Sequence, residues 1–139
     1  MKLYSIAVGS LLSLSAVMCT TNPLTGRKSF QIGSLNSEIM ASSFQQYNQT
    51  LKQSKVISGT AAAQQVQRVG TRIKDAAQQY YRSIGRGDDL SGYAWEFHLL
   101  DDKQVNAWCM PGGKVAVYTG ILPITKDDDG MAGVLGHAI

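Results

Sequence analysis

The feature that most constrains this chain is a change of period at Tyr93. Before it, apolar residues recur every three or four positions; after it, they alternate. Tyr93, Trp95, Phe97 and Leu99 alternate with Ala94, Glu96, His98 and Leu100, the pattern of a half-buried strand. Lys114 to Thr119 (KVAVYT) is a second β-rich run, with Val115, Val117 and Thr119 on one face. Between them, Gln104 to Trp108 can extend, and Met110-Pro111-Gly112-Gly113 reads as a tight turn.

Upstream, Met40, Phe44, Tyr47 and Leu51 step by four, three and four, which predicts a helix over about Ser37 to Val56. Ser58 and Gly59 interrupt it. Thr60 is an N-cap candidate for a second helix running to about Ile84, with Val66, Val69, Ile73, Tyr80 and Ile84 along one stripe. Both helices are amphipathic, so each must bury a face. Ser83 to Gly92 is a loop, and its Arg86-Gly87-Asp88 tripeptide is too short to carry weight. Gly120 to Pro123 leaves the last strand. Thr125 to Asp129 offers an N-cap and three acids to a closing helix bearing Met131, Val134, Leu135 and His137. The order is helix, helix, three strands, helix. It predicts an α+β fold with a small antiparallel or mixed sheet of about three strands, clustered as a meander.

Length and composition narrow the rest. The 139 residues suffice for one small domain, and 44% hydrophobic with 17% charged residues is ordinary for a globular chain. A net charge of +3 from scattered Lys and Arg argues against nucleic acid as a partner. Lys2 followed by the apolar run Ile6 to Met18 has the build of a signal peptide, too short for a spanning helix of about 20 residues. Cys19 follows at once, as at a bacterial lipoprotein processing site, although Met18 stands where Gly or Ala is usual. The organisation expected is therefore a signal segment at 1–18, an arm or tether at 19–33, and the domain at 34–139. An ordinary secretory peptide with an incidental Cys19 is the alternative, and either way the chain is exported.

Of the two histidines, His98 is mid-strand and reads as a surface or hydrogen-bonded structural residue. His137 lies in the stretch GMAGVLGHAI (Gly130 to Ile139), followed by Ala138 and Ile139. A zinc-protease helix carries two histidines one turn apart and a glutamate beside the first. Together, Asn106-Ala-Trp-Cys-Met-Pro-Gly-Gly-Lys-Val-Ala-Val-Tyr-Thr-Gly-Ile-Leu, an acidic loop, and Gly-Met-Ala-Gly-Val-Leu-Gly-His137 resemble the HtpX-like and Oma-type zinc metalloendopeptidases. Cys19-Thr-Thr-Asn-Pro-Leu-Thr-Gly-Arg-Lys28 is similar to the mature N-terminal arm of the exported lipoproteins of that family.

The resemblance implies a zincin-like fold seen in part, ending at the start of the active-site helix. His137 matches the first zinc ligand, and Ala138 takes the position of the catalytic glutamate. The second histidine and a later glutamate ligand fall outside these residues, so the one zinc ion of the complete domain is not expected to bind this chain stably. Asn106 and Ala107 match the edge strand that pairs with extended substrate; a plain turn-proximal strand is the competing reading. Alanine accepts no proton, so loss of the base costs on the order of a hundred- to ten-thousand-fold in rate. The function implied is a cell-envelope zinc metalloendopeptidase acting on misfolded or membrane-associated polypeptides, truncated and inactive as it stands. It would be periplasmic and lipid-anchored through Cys19, at the outer membrane in preference to the inner. Its partners would be polypeptides, envelope or outer-membrane proteins among them. The alternative is a non-catalytic envelope lipoprotein that binds extended polypeptide through the same edge. A cysteine hydrolase pairing Cys109 with His98 or His137 is disfavoured, because no helix N-terminus or local cation would lower the thiol pKa.

Overall fold

The computed structural model describes the backbone of residues 18–21, 28–31 and 33–139, and the side chains of 37–139. The chain divides into two units, residues 1–36 and 37–139. In the first, strands β1 (Met18–Thr21) and β2 (Lys28–Gln31) pair antiparallel, Cys19 opposite Phe30. The arm expected at 19–33 thus contains a short hairpin, and the signal segment, apart from Met18, lies outside the described residues. No helix among the described residues is long and apolar enough to cross a membrane.

The second unit is α+β. Helix α1 (Gly33–Gln53) enters it and stops three residues before the expected Val56, which instead starts strand β3 (Val56–Ile57). Two β-branched residues gain more by pairing with Leu100 and Leu99 than by extending a helix. Helix α2 (Ala61–Ser83) begins at the expected cap: Thr60 Oγ1 accepts from Ala63 N–H at 3.1 Å. Strands β4 (Glu96–Leu100), β5 (Ala107–Met110) and β6 (Lys114–Tyr118) follow, then the short helix α3 (Leu122–Thr125) and helix α4 (Asp128–Ala138).

These strands form a four-stranded sheet in the order β3-β4-β6-β5. A meander would pair β4 with β5. Instead β6 inserts between them, parallel to β4 and antiparallel to β5, and corrects the expected topology. Alternation reports which face a side chain takes but not which strand lies beside it. The link from β4 to β5 arches over the end of β6. Gly120 N–H donates to Asp102 O at 2.8 Å, and Thr119 Oγ1 both accepts from Asp102 N–H and donates to its carbonyl. A Cβ on Gly120 would sit 2.3 Å from the Lys103 and Gln104 carbonyl oxygens, so the arch needs glycine there.

Both faces of the sheet carry a helix layer, and β4 keeps the expected alternation, with Phe97 and Leu99 buried and Glu96 and His98 half-buried. Phe97, Leu99, Val115 and Val117 pack with Val66 and Val69 of α2 and with Met131 and Leu135 of α4. On the opposite face Leu100 and Ala116 pack with Tyr47 of α1. Three layers result: α1, sheet, then α2 with α4. Between sheet and α1 lies a buried polar seam. Tyr47 Oη donates to Val115 O at 2.5 Å and lies 3.0 Å from His98 Nδ1. With the phenol proton committed to Val115, His98 is the donor in that second bond. Burial, with the Glu96 carboxylate and Cys109 nearby, pushes the Tyr47 hydroxyl well above the usual phenol range. Beside it, Lys114 Nζ is 2.5 Å from Glu96 Oε2 and 4.6 Å from the centre of the Phe44 ring.

Candidate active-site edge and helix

Strand β5 is one edge of the sheet, and the hairpin that presents it is built by the Pro111-Gly112-Gly113 turn. Gly112 and Gly113 both have positive φ, at 87° and 81°, where a side chain would be strained and would also strike Phe44 and Trp95. Ser43 of α1 donates to Pro111 O at 2.9 Å and ties the turn to the helix layer.

Register decides which main-chain groups of β5 are free. Tyr118 N–H donates to Asn106 O at 3.0 Å, so Asn106 opposite Tyr118 is a hydrogen-bonded pair. Such pairs recur every second residue, which puts Trp108 and Met110 in the same class. The N–H and C=O of Ala107 and Cys109 therefore point away from β6, toward the open edge. Of the two residues expected to bind substrate, Ala107 offers its backbone outward, whereas Asn106 is exposed but spends its carbonyl on β6. Cys109 joins Ala107 at the edge, and the two-residue period could have placed it there.

The side chains of Ala107 and Cys109 turn inward against the core that holds Met131 and Leu135, so α4 runs beneath this edge. Asp127 caps α4, its Oδ1 accepting from Gly130 N–H at 2.9 Å, and Asp128 and Asp129 fill the first turn. A Cβ on Gly130 would meet Thr125 O at 2.0 Å, so this glycine allows α3 to approach the start of α4. Asp128 is gripped from α2: Arg68 Nε and Nη2 donate to its two oxygens at 3.0 and 2.7 Å, and Gln65 adds a bond at 3.2 Å. The Arg68 hydrogen bond, then that from Gln65, holds the Asp128 carboxyl below the usual carboxylate range.

His137 lies in the last turn of α4, exposed, with half-buried Ala138 beside it. Among the described residues no three His, Cys, Asp or Glu side chains come together to hold a metal ion. Catalytic zinc takes three protein ligands, so His137 alone does not fit the ion. His98 belongs to the α1 seam on the other face, away from α4. Burial pushes the Cys109 thiol up to about 11, which removes it as a nucleophile at neutral pH. Cys19 has only its backbone among the described residues.

Comparison with known proteins fits this arrangement. The profile of peptidase family M48 matches residues 60–139, more than half of the chain, and the chain belongs to that family. It is 50% identical over 48 residues to the mitochondrial metalloendopeptidase OMA1 of Schizosaccharomyces pombe, covering 34% of this chain and 14% of that protein. It is 48% identical over 50 residues to the enzyme of the same name from Saccharomyces cerevisiae, covering 34% and 14%. The metalloprotease YcaL of Escherichia coli is 29% identical over 82 residues, covering 59% of this chain and 30% of its own. The chain thus spans between 14 and 30% of the length of these relatives.

Proposed function

We propose that residues 37–139 form the substrate-edge and first-ligand part of a zinc metalloendopeptidase domain of the cell envelope. One observation carries this reading: His137 lies on α4, the helix that packs beneath an open strand edge at which the main-chain groups of Ala107 and Cys109 face outward. An extended polypeptide is the ligand such an edge selects, because alternating main-chain donors and acceptors pair with any backbone. His137 would be one of three zinc ligands in the complete domain, the other two coming from outside these residues. Family M48 and the metalloendopeptidase names of its relatives support zinc and polypeptide substrates. Misfolded and membrane-associated envelope proteins are the substrate class proposed. Signal-like residues 1–18 and Cys19 support a periplasmic protein anchored by lipid, at the outer membrane in preference to the inner.

Ala138 favours a second reading. With no carboxylate beside His137, the chain would bind extended polypeptide at β5 without cutting it. One experiment separates the two. Zinc content and hydrolysis of an unfolded reporter polypeptide are measured on the full gene product, with Ala138→Glu and His137→Ala beside it. The peptidase reading expects zinc that His137→Ala removes, and turnover that Ala138→Glu raises by about a hundredfold or more. Unchanged zinc in His137→Ala overturns the ligand assignment. Bound zinc with no turnover in Ala138→Glu leaves the binding protein.

A further inference from the structure

The sheet has a second open edge, on the far side from β5. Strand β3 pairs only with Leu99 and Leu100, so β4 from Glu96 to His98 has no strand neighbour there. Parity fixes what it offers. Ala94 N–H and Glu96 N–H donate to Gly112 O and Gly113 O, toward the β6 side. The N–H and C=O of Trp95 and Phe97 therefore face outward. Among the described residues the outward Phe97 N–H has no partner, and the Phe97 carbonyl accepts only a side-chain amide, Gln67 Nε2 from α2. The buried indole N–H of Trp95 is also without a partner among the described residues.

This edge forms one wall of a groove whose other wall is the flank of α2. A hollow of about 760 Å³ lies between Ile57, Gln64, Gln67, Thr71 and His98. A second of about 310 Å³, lined by Trp95, Phe97 and Lys74, shares Gln67, Thr71 and His98 with it. The acidic, Lys and Arg side chains on these walls are already matched: Arg68 with Asp128, Glu96 with Lys114, Lys74 with Asp75. A groove whose charges are matched, walled by apolar side chains such as Ile57, Leu99 and Phe97 together with the Gln64 and Gln67 amides and the Thr71 hydroxyl, complements no phosphate or polyanion. It complements the uncharged amides of a polypeptide backbone.

We propose that this groove binds an extended segment of unfolded polypeptide, added as a strand to β4 end to end with β3. The Gln67 amide is a placeholder that a ligand N–H displaces from the Phe97 carbonyl. The ligand backbone in turn accepts from Phe97 N–H. This shares a partner class with the function proposed above but not a site, since β5 lies at the opposite edge.

The test is amide hydrogen exchange on the full gene product, with reduced and carboxymethylated lactalbumin, a permanently unfolded chain, as the probe. At saturation the Trp95 and Phe97 amides should exchange at least about tenfold more slowly. Thr71→Trp, filling the groove, should abolish that protection and leave any protection at Ala107 and Cys109 intact. Gln67→Ala removes the competitor and should tighten binding about three- to tenfold. Trp95 and Phe97 amides unchanged at saturation overturn the proposal, whatever happens at β5. So does protection already present in the free protein, which means that another part of the same chain fills the groove. Weaker binding by a folded Gln67→Ala protein overturns it as well. Protection at Trp95 and Phe97 without protection at Ala107 and Cys109 upholds this site while sinking the β5 reading.

Discussion

Removing either member of the Glu96–Lys114 pair breaks the same bond, yet the two losses should differ widely. The Lys114 side chain is 7% exposed and that of Glu96 is 39% exposed, with Nζ 2.5 Å from Oε2. Glu96→Gln leaves a cation nearly sealed between the sheet and α1. Breaking a buried pair from one side costs about 3–5 kcal/mol. The Phe44 ring at 4.6 Å and the Tyr47 ring at 6.0 Å still face the ammonium and return about 0.5–2 kcal/mol of that. The net loss is about 1–4.5 kcal/mol, centred near 3. Lys114→Met instead fills the aromatic slot with an unbranched apolar chain and leaves a carboxylate that water reaches, so its cost stays within about 1 kcal/mol. The double variant should resemble Lys114→Met. Urea unfolding of all four proteins measures this directly, each midpoint multiplied by a shared slope. Equal losses in the two single variants, or the larger loss in Lys114→Met, would refute the argument that burial rather than the bond itself sets the cost.

The seam beside that pair gives a second expectation. Tyr47→Phe strips the hydroxyl from Val115 O and His98 and should cost about 1–3 kcal/mol, lowering the melting temperature by several degrees. Alkylation of Cys109 by iodoacetamide at pH 8, followed by mass spectrometry, should run ~100-fold slower than in urea, because the folded thiol sits near 11 and the ordinary one near 9; equal rates would exclude the buried placement. Asp128 has a lowered folded pKa, so its stabilising effect is full above the unfolded value of about 4 and fades as pH falls through the folded one. The difference in urea midpoint between wild type and Asp128→Asn should accordingly shrink in acid, and a flat difference would remove the Arg68 grip as its cause. Gly130→Ala should displace the start of α4 and destabilise the protein by more than about 1 kcal/mol, read by unfolding and by amide shifts at the Asp127 cap.

Periodicity made the helical stripes legible, because Tyr47, Val66 and Val69 are buried where their spacing puts them. It also separated Phe97 and Leu99 from His98. The Thr60 cap could be read for a similar reason, since capping is decided within four residues. What could not be read depends on partners far along the chain. Lys114 looks like a surface residue until Glu96, Phe44 and Tyr47 are brought around it, and His98 meets Tyr47 across 51 positions. β3 is two residues long and exists only because Leu99 and Leu100 lie beside it. The site divided along the same line. Asn106, Ala107 and His137 could be singled out by motif, but which amides of β5 face outward follows from the Asn106–Tyr118 pair, and that pairing is tertiary.

The central place of β6 also sets an order of assembly. Among the described strands β6 is made after the other three of its sheet, yet it lies between two of them. The β5–β6 hairpin is local and closes through a three-residue turn, whereas β6 reaches β4 only in parallel and over the arch at 101–106. The hairpin therefore forms early and docks as a unit. Until it does, β4 waits with most of both edges unpaired, held only by the two residues of β3. During that stage the open edges of β4 offer a neighbouring copy a strand on which to misassemble.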